Sequence, residues 1–219
     1  MTRLYPYRFE IFLFSQLAVL FGSLLAPSDR FESTLSTLLF QINLLAGILL
    51  ISKKKPLMWL FLILLLLAGV LFGTGFLEKV DQRKVGIARI PIYFLFYTTV
   101  AIETVKQVWK AKSINLNVIL GVISGYISLG LIGFFICLSI ELSYPHSFQG
   151  LYTGEIVPEK LADRLIYFSF ITLHTVGYGD ILPVTSLAEK ATVLISLAGQ
   201  FYLVIITATI VGKFINQST

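Results

Sequence analysis

The sequence predicts an all-α membrane protein with six transmembrane helices, a shorter re-entrant helix and a loop that follows this helix. Three observations support this fold class. Of the 219 residues, 56% are hydrophobic and only 13% are charged. The mean hydropathy of +0.85 is far above that of a soluble domain. Apolar runs of about 20 residues, the length that crosses a bilayer core as a helix, recur along the chain.

Six of these runs are long enough to span the bilayer. They cover residues 11–26, 34–52, 56–76, 85–105, 116–140 and 187–215. Pro56 stands at the start of the third run, where a proline suits the first turn of a helix.

A seventh apolar run, residues 165–173, is too short to cross the membrane. It predicts a re-entrant helix over residues 163–174, with Asp163 near the N-terminus, where a carboxylate is favoured. The non-helical chain after it must be buried in protein or line an aqueous pathway.

The distribution of Lys and Arg predicts the orientation of the chain. Segments that are almost purely basic recur in alternate connections, and they hold Arg3, Arg8, Lys53, Lys54, Lys55, Lys106, Lys110, Lys112 and Lys213. Because such segments stay in the cytoplasm, both termini are expected there. Trp59 and Trp109 lie near these lysines, as interfacial anchors do. Short loops and small size favour a prokaryotic plasma membrane. The first run, which lacks a small-x-small cleavage site, is expected to be retained.

Several other classes of function are disfavoured. The single cysteine, Cys137, allows no intrachain disulfide and no cysteine-based metal site. The positive charges lie in short loops and form no basic face, so nucleic acid is not an expected partner. No catalytic or cofactor-binding residues are predicted, and the chain is not expected to be an enzyme.

The segment after the re-entrant run has the composition of an ion filter. A potassium filter replaces the hydration shell of the ion with closely spaced oxygens, and successive backbone carbonyls facing one way can do this. Such a backbone needs dihedrals that glycine adopts without strain. Gly177 and Gly179 alternate with Val176 and Tyr178, and Thr175 adds a hydroxyl oxygen at the inner end. These five residues are the candidate K⁺ ligands.

One such loop cannot surround an ion, but four copies can. Because each chain carries one filter segment, the sequence predicts a homotetramer.

The stretch 172–180, Thr-Leu-His-Thr-Val-Gly-Tyr-Gly-Asp, resembles the filter of the tetrameric potassium channel family. The resemblance covers about residues 113–219, which would form a pore domain of outer helix, turret, pore helix, filter and inner helix. Residues 1–112 match six-helix channel subunits only by helix count. This resemblance implies a passive, potassium-selective channel.

The resemblance also implies residues that support the filter. Asp180 would lie at the outer mouth, and Tyr167 occupies the position from which an aromatic donates a hydrogen bond to this aspartate. Thr172 belongs to the same supporting set. Some relatives carry a Glu where this chain has Ile171, so we expect little inactivation at acid pH.

His174 stands where a threonine is common. One interpretation is a neutral ring, hydrogen-bonded behind the filter; the other is a pH sensor near the ions. The first is favoured, because a cation beside the filter would be unfavourable.

The last helix carries the candidate gating elements. Gly199 lies where relatives commonly have a glycine hinge, although glycine also allows close helix packing. Thr207, Ala208 and Val211 are candidates for the inner pore lining, and Gly212 is a second candidate bending point.

The first four helices lack the charges of a voltage sensor. The fourth has Arg89 and then no cation until Lys106, whereas steep voltage dependence needs several charges per subunit. Gln16, Gln41 and Asn43 are interpreted as partners in interhelical hydrogen bonds. We therefore expect weak or no intrinsic voltage dependence.

The long connection 142–162 is predicted to be a turret, in which Glu155, Glu159 and Asp163 either concentrate cations or form a solvated surface. The alternatives to a passive channel are an atypical voltage-gated channel, a potassium-uptake transporter subunit and a non-conducting regulatory subunit. The gating stimulus and any regulatory partner are not specified by the sequence.

Overall fold

The computed structural model describes residues 4–24, 35–74, 82–111, 113–151 and 158–218. These ranges contain seven α-helices, which we number in chain order. They are α1 Arg8–Phe21, α2 Ser36–Ile51, α3 Lys55–Thr74, α4 Gln82–Lys110, α5 Leu116–Ser143, α6 Pro158–Leu173 and α7 Ser186–Ser218. Short 3₁₀ turns, Tyr5–Tyr7 and Gly22–Leu24, flank α1.

The helices fit an all-α membrane protein. Five of them, α1 with its flanking turns and α3, α4, α5 and α7, are long and apolar enough to cross a bilayer. The remaining predicted span, 34–52, contains α2, which has 16 residues within the described part of the chain and is shorter than a usual span.

Two local features differ from the sequence-based expectation. Helix α6 begins at Pro158, five residues before the predicted start, so Asp163 lies in its second turn and not at its N-terminus. The chain also forms a small antiparallel ladder between β1, Phe148–Gln149, and β2, Leu182–Pro183. Strands of only two residues leave no hydrophobic periodicity in a sequence.

The chain divides into two compact units. The first contains residues 1–111 with 115–125, and the second contains residues 112–114 with 126–219. The division falls inside α5, whose first turns contact α1, since a Cβ at Gly121 would overlap the Phe9 ring.

Aromatic side chains form the core of the first unit. Phe12, Phe61 and Tyr97 surround the fully buried ring of Phe96, with centroids 4.9–6.3 Å from it. Gly47 on α2 faces the same ring, and a Cβ at Gly47 would overlap it. The glycine therefore lets α2 approach α4 closely.

A buried polar network links three helices of this unit. Tyr97 donates its hydroxyl to Asn43 Oδ1 at 2.7 Å, and Asn43 Nδ2 donates to Ser15 Oγ at 2.8 Å. Gln16 Nε2 donates to the carbonyl oxygen of Ser124 at 3.1 Å. Gln41 differs, because its Nε2 is buried and has no hydrogen-bond acceptor among the described residues.

In the second unit, small residues bring α5 against α6. Ser169 donates its hydroxyl to the carbonyl oxygen of Gly130 at 2.6 Å. A Cβ at Gly130 would overlap the Phe170 ring, and one at Gly133 would crowd the Ser169 hydroxyl. Glycine at both positions is what allows this separation between the helices.

Candidate ion-conduction site

Helix α6 ends in a Schellman cap that leads directly into the glycine segment, which we define as residues 174–180. The backbone N–H of Val176 donates to the Ile171 carbonyl at 2.8 Å, and that of Thr175 donates to the Thr172 carbonyl at 2.9 Å. This pair of bonds is the pattern of a helix whose C′ residue is left-handed. That residue is Thr175, with φ of 57°.

Positive φ values recur at every second residue of the glycine segment. Thr175, Gly177 and Gly179 have φ of 57°, 56° and 81°. A Cβ at either glycine would meet no atom within 4 Å, so glycine is needed there for its dihedrals and not for space. Alternation of left-handed and ordinary residues allows successive carbonyls to share a direction, which an ordinary strand does not.

Thr175 is the strained member of this series. A β-branched residue seldom adopts positive φ, and such backbone strain persists only where the surrounding structure enforces it. From the sequence, unusual backbone dihedrals were expected at the two glycines alone. The cap at the end of α6 is what places Thr175 there.

The glycine segment is exposed along its whole length in the single chain. Its two large apolar side chains, Val176 and Tyr178, are 51% and 72% exposed. Apolar groups of this size usually contact other protein or lipid.

Tyr167 on α6 reaches the C-terminal end of the glycine segment. The Tyr167 phenol donates a hydrogen bond to the Asp180 carboxylate. Thr172, on the same helix, is buried beneath the segment's start.

The His174 ring is held on both sides. Its Nδ1 lies 2.7 Å from the carbonyl oxygen of Phe170. Because a carbonyl can only accept, Nδ1 carries the proton in this bond. The ring also meets Tyr126 edge-on at 5.1 Å between centroids.

Gln200 on α7 contacts Thr175, near the N-terminal end of the glycine segment, and the sequence did not predict this contact. Its Nε2 donates to the Thr175 hydroxyl at 3.2 Å, and this hydroxyl donates to the His174 carbonyl at 2.7 Å. The chain of bonds determines the orientation of the hydroxyl. The sequence did contain a signal for this contact, namely an amide side chain within an apolar helix.

Gly199 packs α7 against the end of α6. A Cβ at this position would overlap the backbone carbonyl oxygen of Leu173, the last residue of α6. Helix α7 continues without interruption from Ser186 to Ser218. A close helix contact at Gly199 is therefore present, and the hinge remains a prediction.

From Leu197 onward, α7 carries an exposed stripe of small and apolar residues. Its members recur at alternating steps of four and three: Leu197, Phe201, Val204, Ala208, Val211 and Ile215. Thr207, next to the stripe, is also exposed. The candidate lining residues Thr207, Ala208 and Val211 thus lie on the uncovered side of the helix.

Glu141, at the end of α5, organises the start of the outer connection. Its carboxylate is buried and accepts the backbone N–H groups of His146 at 2.7 Å and Phe148 at 3.2 Å. Carboxylates that accept two N–H groups bind them strongly. Since its partners are loop backbone, the sequence carried no signal for this role.

The ladder that follows ties this connection to the residues after the glycine segment. Phe148 pairs with Pro183, and a Cβ at Gly150 would overlap the Asp180 carbonyl oxygen. Arg164 on α6 donates Nη2 to the Gly150 carbonyl at 2.6 Å. Of the predicted turret acids, Glu155 and the side chain of Glu159 lie outside the described residues.

Comparison with protein-family models matches residues 153–217 to the family described as ion channel. The match covers less than a third of the chain, and it contains α6, the glycine segment and nearly all of α7. Comparisons with curated proteins and with solved structures find no match. This part of the chain is thus similar to ion channels, in agreement with a helical membrane protein.

Proposed function

We propose that the chain is one subunit of a homotetrameric channel that conducts K⁺ selectively and passively. The observation that carries the proposal is the repeated positive φ at Thr175, Gly177 and Gly179, immediately after the C-terminal end of α6. Backbone carbonyls of residues 175–179 and the Thr175 hydroxyl would coordinate the ion. The negative end of the α6 dipole would stabilise a cation at the inner entrance.

The exposed surfaces support a tetramer. Apolar area is left uncovered in one chain at Val176, at Tyr178 and along the α7 stripe. A ring of four chains would cover Val176 and Tyr178 while enclosing an ion path. Tyr167 and Asp180 would then support the outer end of the filter from behind. We further propose a plasma-membrane location in a prokaryotic cell, with both termini in the cytoplasm.

Reconstitution of the purified chain in planar bilayers tests the proposal. With unequal KCl on the two sides, the reversal potential should follow the K⁺ gradient, and replacing K⁺ by Na⁺ on one side should shift it strongly. Gly177→Ala, which places a Cβ at a φ of 56°, should lose K⁺ current. Gly69→Ala on α3, in a position with open space around it and in the first unit, should keep it.

A reversal potential that ignores the K⁺ gradient would reject the proposal. K⁺ movement that requires a second, coupled ion would instead favour the transporter alternative. Cross-linking should stop at four copies of the 24.5 kDa chain, and a smaller limiting species would reject the tetramer.

A further inference from the structure

One end of the first unit collects cations in excess of acids. Six basic residues lie at the start of α1, between α2 and α3, and at the end of α4: Arg8, Lys53, Lys54, Lys55, Lys106 and Lys110. Among the described residues of these segments, the acids are Glu10 and Glu103. We call this set the basic cluster.

The centre of the basic cluster is a buried carboxylate that orients two lysines. Glu103 is 4% exposed, Lys54 forms an ion pair with it, and Lys106 Nζ lies 3.6 Å from its Oε1. The side chains of Lys54 and Lys106 remain 48% and 57% exposed. Two ammonium groups against one carboxylate leave positive charge at the surface.

Two further cations are held by one aromatic ring. The Arg8 guanidinium and the Lys53 ammonium lie 4.3 Å and 4.2 Å from the centroid of Tyr5. Within the described residues, neither pairs with a carboxylate. The ring orients both groups without neutralising them, so an external anion can still bind there.

The only two tryptophans of the chain border the basic cluster. Trp59, in the first turns of α3, and Trp109, at the end of α4, are 62% and 58% exposed. Exposed tryptophans of membrane helices lie at the level of the lipid headgroups. The cations beside them are then at the depth of the lipid phosphates.

From this arrangement we infer that the basic cluster is a binding site for the phosphate of an anionic lipid headgroup, such as phosphatidylglycerol, in the leaflet that it faces. Each cation near an anionic membrane surface contributes about 1 kcal/mol, or about fivefold in affinity. The inference rests on the membrane location alone. Its test measures lipid binding and is independent of ion conduction.

Tryptophan fluorescence reports on this site directly, because both tryptophans border it. The full chain is reconstituted in phosphatidylcholine vesicles that contain brominated phosphatidylglycerol or, separately, brominated phosphatidylcholine. Half-maximal quenching should occur at a mole fraction of brominated phosphatidylglycerol at least about fivefold lower than the mole fraction of brominated phosphatidylcholine that is needed. The double variant Arg8→Gln with Lys53→Gln should reduce this difference to within about twofold.

Lys84→Gln is the matched control, since Lys84 is an exposed lysine at the opposite end of α4; it should keep the wild-type preference. Raising KCl on the wild-type protein should also weaken the preference, by screening and without any change of sequence. Equal quenching by the two lipids in the wild type would overturn the inference. So would loss of the preference on adding soluble glycerol phosphate, which would identify a free phosphate ester as the ligand.

Discussion

At the scale of single residues, the glycine segment depends on side chains outside it. Tyr167 contacts its C-terminal end through Asp180, and Gln200 contacts its N-terminal end through Thr175. In the proposed channel these are the outer and the inner end. These two contacts differ in what they hold. The first restrains a charged side chain at the mouth, and the second orients a hydroxyl that faces the proposed ion path.

Removing the phenolic hydroxyl should weaken the outer end. In Tyr167→Phe the Asp180 carboxylate loses a charge-assisted hydrogen-bond donor. We expect macroscopic K⁺ current to decay faster during sustained opening. Tyr167→Trp, whose indole N–H can also donate, should restore much of the wild-type time course. A decay in Tyr167→Phe indistinguishable from wild type would show that the hydrogen bond has no such role.

Removing the Gln200 amide should affect the inner end. In Gln200→Leu the Thr175 hydroxyl loses this hydrogen bond and can rotate. A neutral hydrogen bond contributes about 1 kcal/mol to stability. We expect the K⁺ over Na⁺ permeability ratio to fall by up to about fivefold, measured from bi-ionic reversal potentials. Thr192→Val is the control on the same helix, because among the described residues Thr192 Oγ1 donates to the Ala188 carbonyl and to no other group. An equal loss of selectivity in both variants would contradict this role for Gln200.

At the scale of helices, glycines decide how closely the elements approach. Gly199→Ala should push α7 away from the end of α6, because the added Cβ overlaps the Leu173 carbonyl. Overpacking of this kind destabilises by about 1–3 kcal/mol. Thermal unfolding in detergent should show a lower midpoint for Gly199→Ala. Gly212→Ala on the same helix meets no neighbour and should be neutral or slightly stabilising; similar midpoints for the two variants would argue against the close contact.

Buried polar side chains also link α1, α2 and α4, through hydrogen bonds to Asn43. Asn43→Leu leaves the Ser15 and Tyr97 hydroxyls without their shared partner, and such bonds in membrane helices are worth about 0.6–1.7 kcal/mol. We expect a lower thermal midpoint for this variant. Gln41→Leu removes a buried amide nitrogen that has no acceptor in the described chain, so it should leave the midpoint unchanged or raise it. The reverse order of the two midpoints would contradict the network.

Sequence alone located the helices approximately, because long apolar runs are local properties, although α6 begins five residues before its predicted start. The α5 helix starts at Leu116 as predicted, and α7 starts one residue before its predicted span. Contacts between distant segments were not accessible in this way. Glu141 binds loop backbone, Gln200 meets a residue 25 positions earlier, and the left-handed Thr175 follows from a cap and not from its own preference.

At the scale of the whole molecule, the charges available to the membrane field limit voltage sensing. Arg89 is the only cation of α4 between Lys84 and Lys106, and its Nη2 donates to the Leu71 carbonyl on α3 at 2.8 Å. One elementary charge crossing the field contributes about 2.3 kcal/mol per 100 mV. A proposed tetramer would therefore couple at most about four charges through this residue.

We accordingly predict a shallow dependence of open probability on voltage. The limiting slope of single-channel open probability should correspond to fewer than about four elementary charges per channel. Arg89→Gln should lower this value further and leave the unitary K⁺ conductance unchanged, because Arg89 lies in the first unit and the glycine segment in the second. A slope equivalent to ten or more charges would require a sensor elsewhere in the chain, and would replace the weakly voltage-dependent channel with the atypical voltage-gated alternative.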